Sequence, residues 1–230
     1  MRRIKPVFLI ENKSILMRNL EMIPSLLLLL TLIACKKEKV TSETQTEPFD
    51  ITSYVLVEKG LGLADDDHII TTFELQGKAI WYTSLGFLSG PTYNYADGVL
   101  KIYQGATVHG EFKIENQKII SYSNKNKPYS CQLIKIPKGN QLNGNTYSGS
   151  WKNQGSLLFQ PSTFKFTDTH FAEASFNLPV PNNQYTSIKN IGASIYINNV
   201  RTLLIMIDEK IYGTRNYPNG TVAIGEFSKQ

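Results

Sequence analysis

Side chains suited to covalent or acid–base chemistry are few and scattered in this 230-residue chain. It contains two cysteines, Cys35 and Cys131, and three histidines, His68, His109 and His170. The histidines are too far apart for a local metal motif, because zinc needs three or four converging ligands. The sequence also contains no Gly-x-Ser-x-Gly, His-Glu-x-x-His or glycine-rich phosphate-loop motif. We therefore predict no catalytic residue, no metal site and no cofactor.

Paired carboxylates could still support glycoside hydrolysis, because a glycosidase brings its two acids together only in the folded chain. The acidic residues within predicted strands are Glu74, Glu111, Glu173 and Glu226. We expect each of them on the solvated face of its strand. The second thiol, Cys131, lies in an alternating segment and is expected to be a buried structural residue.

Cys35 stands at the end of an apolar segment near the N terminus. Residues 22–34 are apolar and uncharged, Arg18 lies just upstream, and residues 36–39 read Lys-Lys-Glu-Lys. A segment of this length is too short to cross a bilayer of about 30 Å as a helix and matches the hydrophobic region of a signal peptide. Met17 is a second candidate for the first residue.

The sequence Leu32-Ile33-Ala34-Cys35 resembles the lipobox of bacterial lipoprotein precursors, in which the cysteine is lipidated and becomes the mature N terminus. The resemblance implies a signal peptide over residues 1–34 and a membrane anchor on Cys35. Lys36 is not the aspartate that commonly retains such proteins at the inner membrane. The resemblance therefore implies an outer-membrane location in the cell envelope.

Charge excludes one class of partner once this leader is set aside. The formal charge of the whole chain is +5, of which residues 1–34 contribute +3 and residues 36–39 contribute +2. Residues 40–230 are therefore formally neutral, and their basic residues are dispersed among acidic ones. Nucleic-acid binding proteins gather basic residues on one element, so we exclude nucleic acid as a partner.

Residues 35–50 are predicted to be a lipidated cysteine followed by a flexible tether. After the charged run come polar residues with hardly an apolar group to bury. A flexible coil of this length spans about 20 Å root-mean-square. The remaining residues, 51–230, are enough for one sizeable β domain or two small ones.

From Ile51 onward, apolar residues recur at a spacing of two in short runs bounded by Gly, Asn, Asp or Pro. This pattern predicts half-buried strands, and the short connections favour antiparallel neighbours. Hairpin turns are indicated at Asp97-Gly98, Asn198-Asn199 and Asn219-Gly220. Residues 202–207 are apolar on both faces, which predicts a strand covered on both sides. We predict an all-β fold, an antiparallel meander forming a barrel or a sandwich.

A seam between two β subdomains is indicated near residues 137–145, where loop-forming residues separate predicted strands. A weak internal similarity accompanies it. Tyr95-Ala96-Asp97-Gly98 leads to Gly110-Glu111-Phe112, and Tyr217-Pro218-Asn219-Gly220 leads to Gly225-Glu226-Phe227. Such short matches are common in β proteins, so chance and duplication both remain open.

Gly149-Ser150-Trp151 resembles the Gly-x-Trp motif that begins the first strand of lipocalin-like barrels. In that family the tryptophan plugs one end of the barrel. Residues 149–156 also resemble the first hairpin of avidin-type barrels, but no tryptophan follows Trp151, which argues against biotin as a ligand. A tryptophan packed in a β core is the alternative interpretation of Trp151.

The candidate binding residues are Trp81, Leu85, Phe87, Leu88 and Trp151. Leu85, Phe87 and Leu88, which we call the apolar lip, lie between two glycines and a proline on a predicted irregular connection. Packing of this loop over a barrel end is the alternative to contact with a ligand or partner.

Three functional hypotheses follow from the sequence. The first is an envelope-anchored, non-catalytic binding module for a small apolar ligand or a partner protein. The second is a protein inhibitor or immunity factor, and the third is a carbohydrate-active enzyme.

Overall fold

The computed structural model describes residues 49–60, 67–125, 127–128 and 130–230. The predicted signal peptide, Cys35 and most of the predicted tether lie outside these residues. Residues 48–230 form one compact unit. No helix within the described ranges is long and apolar enough to span a bilayer.

The described chain is built of antiparallel strands and two short 3-10 turns, so the prediction of an all-β fold is confirmed. The strands form two sheets, one from each half of the chain. The first sheet contains β1 (Tyr54–Lys59), β2 (His68–Glu74), β3 (Lys78–Thr83), β4 (Gly86–Leu88), β5 (Thr92–Ala96), β6 (Val99–Gln104), β7 (Thr107–Glu115), β8 (Lys118–Asn124) and β9 (Ser130–Lys135). The second contains β10 (Thr146–Asn153), β11 (Phe159–Phe166), β12 (His170–Ala174), β13 (Asn183–Gln184), β14 (Thr186–Ile188), β15 (Gly192–Ile197), β16 (Val200–Ile207), β17 (Lys210–Asn216) and β18 (Val222–Lys229).

The first sheet curls into a nearly closed barrel, barrel A, because its first strand also pairs with its last. Strand β1 pairs with β2 on one side and with β9 on the other. Strands β4 and β5 act as one bent strand, since β4 pairs with β3 and β5 pairs with β6. Barrel A is therefore an up-and-down meander of eight strand positions.

The second sheet, barrel B, repeats this construction. Strand β10 pairs with both β11 and β18. Its fourth strand position is again split, since β13 pairs with β12 and β14 pairs with β15. Residues 136–145, where the seam was predicted, connect the two barrels.

The first strand pairs with the last in an equivalent register in both barrels. Tyr54 of β1 faces Lys135 of the last strand, and Tyr147 of β10 faces Lys229. Four residues further along, Glu58 and Trp151 therefore occupy equivalent positions on the first strands. The Gly-Glu-Phe similarity does not follow this equivalence, because one copy lies in β7, the sixth strand position, and the other in β18, the eighth.

Turn chemistry fixes several of the hairpins. Asp97-Gly98 and Asn198-Asn199 both adopt positive φ at two consecutive residues, as the predicted tight hairpin turns require. Asn219-Gly220 instead lies in a longer connection between β17 and β18, where Gly220 alone of the two has positive φ.

An apolar residue just before the first strand seals the base of each barrel. In barrel A it is Ile51, in the 3-10 turn Ile51–Ser53. In barrel B it is Leu142, which is fully buried against Tyr147 and the aromatic core. The Tyr147 hydroxyl donates to the carbonyl of Gln141 at 3.2 Å and holds this turn against the barrel.

The two barrels share an apolar interface made by the outer faces of their strands. Val55, Val57 and Ile70 of barrel A form one cluster with Leu203 and Ile205 of barrel B. Leu204, between these two residues, points into the core of barrel B. The prediction that residues 202–207 form a strand covered on both sides is confirmed.

The strand predictions fail mainly where strands are short or contain proline. The sequence predicts separate strands over residues 157–159 and 163–167, but β11 runs through Pro161 without a break, and Leu157 and Leu158 lie in the preceding loop. Strands β4, β5, β13 and β14 were not predicted. Strands β4, β13 and β14 have only two or three residues and are too short to show alternation, whereas β5 has five residues, and its alternation was overlooked.

The packing of the base makes a specific prediction. Replacing Leu142 with Ala should lower the free energy of unfolding by about 2–5 kcal/mol, because it leaves a cavity in a filled core. Urea denaturation measures the change. The matched control is Leu75→Ala. Because Leu75 is 77% exposed, this variant should lose much less free energy of unfolding. Equal losses in the two variants would show that Leu142 does not seal the barrel.

Candidate ligand-binding site at the mouth of barrel B

Each barrel has two distinct ends, because successive connections of a meander alternate between them. We call the end where β1 and β10 begin the base, and the opposite end the mouth. The mouth of barrel B is bordered by the connections at residues 154–158, 175–182, 198–199 and 217–221. A molecule that enters barrel B from this end must therefore pass between these connections.

Glu173 of β12 points into barrel B and is bonded from three sides. Its Oε1 atom accepts hydrogen bonds from Trp151 Nε1 at 2.8 Å and from Ser162 Oγ at 2.7 Å. Its Oε2 atom accepts from Arg215 Nη2 at 2.5 Å. The expectation that Glu173 lies on a solvated face is therefore wrong: inward-facing donors on three other strands stabilise it inside the barrel.

Arg215 of β17 completes this network. Its Nε atom donates to Thr202 Oγ1 at 3.0 Å, and its guanidinium lies 4.2 Å from the centre of the Trp151 ring. Both charged side chains are largely buried, with 14% and 22% of the Arg215 and Glu173 side chains exposed. Buried ion pairs persist only with good geometry and additional hydrogen bonds, and this pair has both. The result is a fixed, formally neutral polar floor.

A cavity of about 260 Å³ opens above this floor. Its walls are mainly apolar and also include two amide side chains; they are formed by Phe171, Ile195, Ile197, Val200 and Tyr217, with Asn183 and Asn198. Deeper in the barrel, aromatic rings fill the interior. These rings belong to Trp151, Phe164, Phe166, Phe171 and Phe227. The space for a ligand therefore lies at the mouth and not along the whole barrel.

Exposed apolar side chains surround this mouth. We call Leu157, Leu158, Phe159, Phe176 and Val180 the apolar rim, since all five lie in or beside its connections and are 63–88% exposed. The sequence analysis did not single them out, because residues 157–159 were interpreted as a strand. The consecutive Leu-Leu-Phe after Gly155-Ser156 is the signal that could have identified them.

Barrel A carries a different polar group at the corresponding end. Glu58, equivalent in register to Trp151, is 1% exposed and accepts a hydrogen bond from Asn124 Nδ2. Burial raises the pKa of this carboxyl to about 7, although the Asn124 bond opposes the shift. Burial and the nearby Glu58 charge raise the pKa of the Cys131 thiol to about 12. Such a thiol is a poor nucleophile at neutral pH.

Trp81 lies in the same barrel, with its ring centre 4.5 Å from that of His109. It is 7% exposed, and its Nε1 atom has no hydrogen-bond partner among the described residues. Burial, followed by the charge of Lys125, lowers the pKa of His109. Trp81 is thus a core residue of barrel A.

The five predicted binding residues do not form one site. Trp81 is buried in barrel A and Trp151 in barrel B. The apolar lip is exposed at the mouth of barrel A, where the predicted irregular connection is the hairpin between β3 and β4. Arg201 of barrel B donates a hydrogen bond to the carbonyl of Leu85 and ties this hairpin to the second barrel.

Neither the cavity at the mouth of barrel B nor the larger cleft between the barrels contains two carboxylates. The cavity contains Glu173, and the cleft, of about 370 Å³, contains Glu226. The part of the chain that the structure describes also has no group of three His, Cys, Asp or Glu side chains that could hold a metal ion. This absence does not extend to Asp65 and Asp66, which precede His68 in the sequence and lie outside the described residues.

The buried carboxyl of Glu58 makes stability depend on pH. Its pKa is raised in the folded state, so its favourable contribution is complete below the unfolded value near 4.5 and is lost as the pH rises through about 7. At pH 8 the charged carboxylate should cost about 3 kcal/mol. Urea denaturation from pH 5 to 8 should therefore show that Glu58→Gln removes this loss.

The control for this experiment is Glu115→Gln, because Glu115 is exposed and pairs with Lys113 at the surface. This variant should keep the pH dependence of the unaltered protein. If the free energy of unfolding changed with pH in the same way in Glu58→Gln and in the unaltered protein, folding would not raise the pKa of Glu58.

Comparison with known proteins adds no family to these observations. No protein-family model matches the chain, and neither the curated proteins nor the solved structures contain a match. The comparisons therefore do not support a relationship to the lipocalins beyond the sequence resemblance of residues 149–151.

Proposed function

We propose that this chain is a non-catalytic binding protein of the cell envelope that takes a small amphipathic molecule into the mouth of barrel B. The observation that carries the proposal is the cavity itself, which has mainly apolar walls and a preorganised polar floor. Binding sites commonly combine apolar surface with a few fixed polar groups that orient the ligand.

The size and charge of the site favour a compact, uncharged ligand. The volume of about 260 Å³ lies just below the usual range of roughly 300–1,000 Å³ for small-molecule sites. The floor is neutral overall, because Arg215 and Glu173 compensate each other. An anionic head group near Arg215 would also approach the Glu173 carboxylate. A hydroxyl or amide, which can both accept and donate, suits this floor better.

Three probes with the same chain length test this preference. Octan-1-ol, octanoate and octylamine differ only in their head groups, and isothermal titration calorimetry measures their affinities. We expect octan-1-ol to bind most tightly. Octanoate would be repelled by the Glu173 carboxylate, and octylamine by the Arg215 guanidinium. A preference for octanoate or octylamine would contradict the neutral floor.

A matched pair of variants locates the site. Val200→Trp fills the mouth and should weaken octan-1-ol binding at least tenfold, whereas Val108→Trp makes the same change at the start of β7 in barrel A. The control should bind like the unaltered protein. Equal affinities of both variants would place the ligand outside barrel B.

The location in the envelope rests on Cys35. We expect Cys35→Ser to abolish incorporation of labelled palmitate and to leave residues 1–34 attached, because the thiol is the acceptor in the resemblance to lipoprotein precursors. Labelling and intact mass measure the two effects. Cys131→Ser is the matched control and should be lipidated normally. Label retained by Cys35→Ser would exclude this anchor.

A further inference from the structure

The apolar lip of barrel A and the apolar rim of barrel B lie at the same end of the molecule. At the mouths, Arg201 contacts the carbonyl of Leu85. At the bases, Lys189 pairs with Glu74 at 2.8 Å, and Asn190 Nδ2 donates to the carbonyl of Pro137 at 3.0 Å. The barrels therefore stand side by side with their mouths pointing in one direction. Their eight exposed apolar residues belong to one face, the mouth face.

In barrel B, charge is distributed unequally between this face and the opposite one. The four mouth connections of barrel B, residues 154–158, 175–182, 198–199 and 217–221, contain no charged residue. The base connections of the same barrel contain Asp168, Lys189, Asp208 and Glu209. Barrel B thus has one uncharged apolar end and one charged end.

Among the described residues, the exposed charges bordering the mouth face are basic; the β1–β2 connection of barrel A also contains Asp65 and Asp66, which lie outside the described residues. The basic residues are Lys125 and Lys127 in barrel A and Lys152 and Arg201 in barrel B. Lys152 lies 5.5 Å from the centre of the Phe159 ring, and Arg201 lies 5.1 Å from that of Tyr196. Apolar side chains flanked by basic ones suit the boundary between acyl chains and anionic head groups.

We propose that the mouth face docks on a phospholipid surface, with the lip and rim inserted among the acyl chains and the flanking cations at the head groups. This inference rests on the proposed envelope function and deepens it, because it lets a ligand pass from the bilayer into barrel B. The ligand is then a membrane-soluble amphiphile.

The tether is long enough for this orientation. The first described residue, Phe49, lies at the base, opposite the mouth face. Residues 36–48, fully extended, reach about 45 Å. A strand of eight residues, such as β10, rises about 26 Å. The contour length of residues 36–48 therefore exceeds the length of a barrel strand, as the proposal requires if Cys35 and the mouth face are to meet the same membrane.

Vesicle sedimentation tests the proposal with the unlipidated chain of residues 36–230, which retains the whole compact unit 48–230. The vesicles are pure phosphatidylcholine, or phosphatidylcholine with one quarter phosphatidylglycerol. We expect saturable binding that is stronger on the anionic vesicles. The double variant Leu157→Ser/Leu158→Ser should bind about tenfold more weakly or worse.

The matched control is Leu75→Ser, because Leu75 and Leu158 are both 77% exposed but Leu75 lies at the base. The control should bind vesicles like the unaltered chain. Absence of vesicle binding, as expected if the mouth face covers a protein partner, would overturn the proposal. Equal binding by the control and the double variant would overturn it as well.

Octan-1-ol calorimetry on the same proteins separates this proposal from the proposed function. The double variant keeps Val200 and the other cavity walls, so it should bind the alcohol normally while losing vesicle binding. Vesicle binding without alcohol binding would refute the ligand site and leave membrane docking intact.

Discussion

Pairing of the first strand with the last is the constraint on which the rest of this structure depends. In each barrel the opening strand lies between two partners, so neither β1 nor β10 presents a free edge. Closure gives every strand an inside and an outside. It also gives each barrel a base and a mouth. The positions of these two ends determine where a ligand or another surface can contact the barrel.

As a result, the two faces of a strand can pack against different parts of the molecule. On β1, Leu56 and Glu58 face the interior of barrel A, while Val55 and Val57 join the interface with barrel B. Because strands of both barrels are buried on both faces, the barrels cannot separate without exposing apolar surface to water. This interface, with the Arg201 and Lys189 contacts at its two ends, fixes both mouths in one direction.

The two buried carboxyls show how one architecture supports different chemistry. Glu173 has a cation, an indole and a hydroxyl as donors, and the arrangement forms a rigid floor. Glu58 has the Asn124 amide, and desolvation dominates its titration. The first group forms the floor of the proposed binding site, whereas the second is predicted to make the stability of the protein depend on pH.

Much of the fold was predictable because it is encoded locally. Alternation identified most strands, and Asp97-Gly98 and Asn198-Asn199 identified tight turns, since both features depend on neighbouring residues. Strands β4, β13 and β14 were missed because two or three residues are too few to show a period. The candidate site was predicted only in part, for another reason. Trp151 was named from the sequence, but Glu173, Thr202 and Arg215 lie on three other strands and meet it only when barrel B closes.

The sequence by itself determined the all-β class, the seam-like composition near residues 137–145, the formal neutrality of the body and the two-sided burial of residues 202–207. Each follows from residue type or short-range period. Only the tertiary structure decided that the seam joins two barrels of one design and that Glu173 points inward. It alone placed the apolar lip and the apolar rim on one face, because closure and the direction of packing involve residues far apart in the chain.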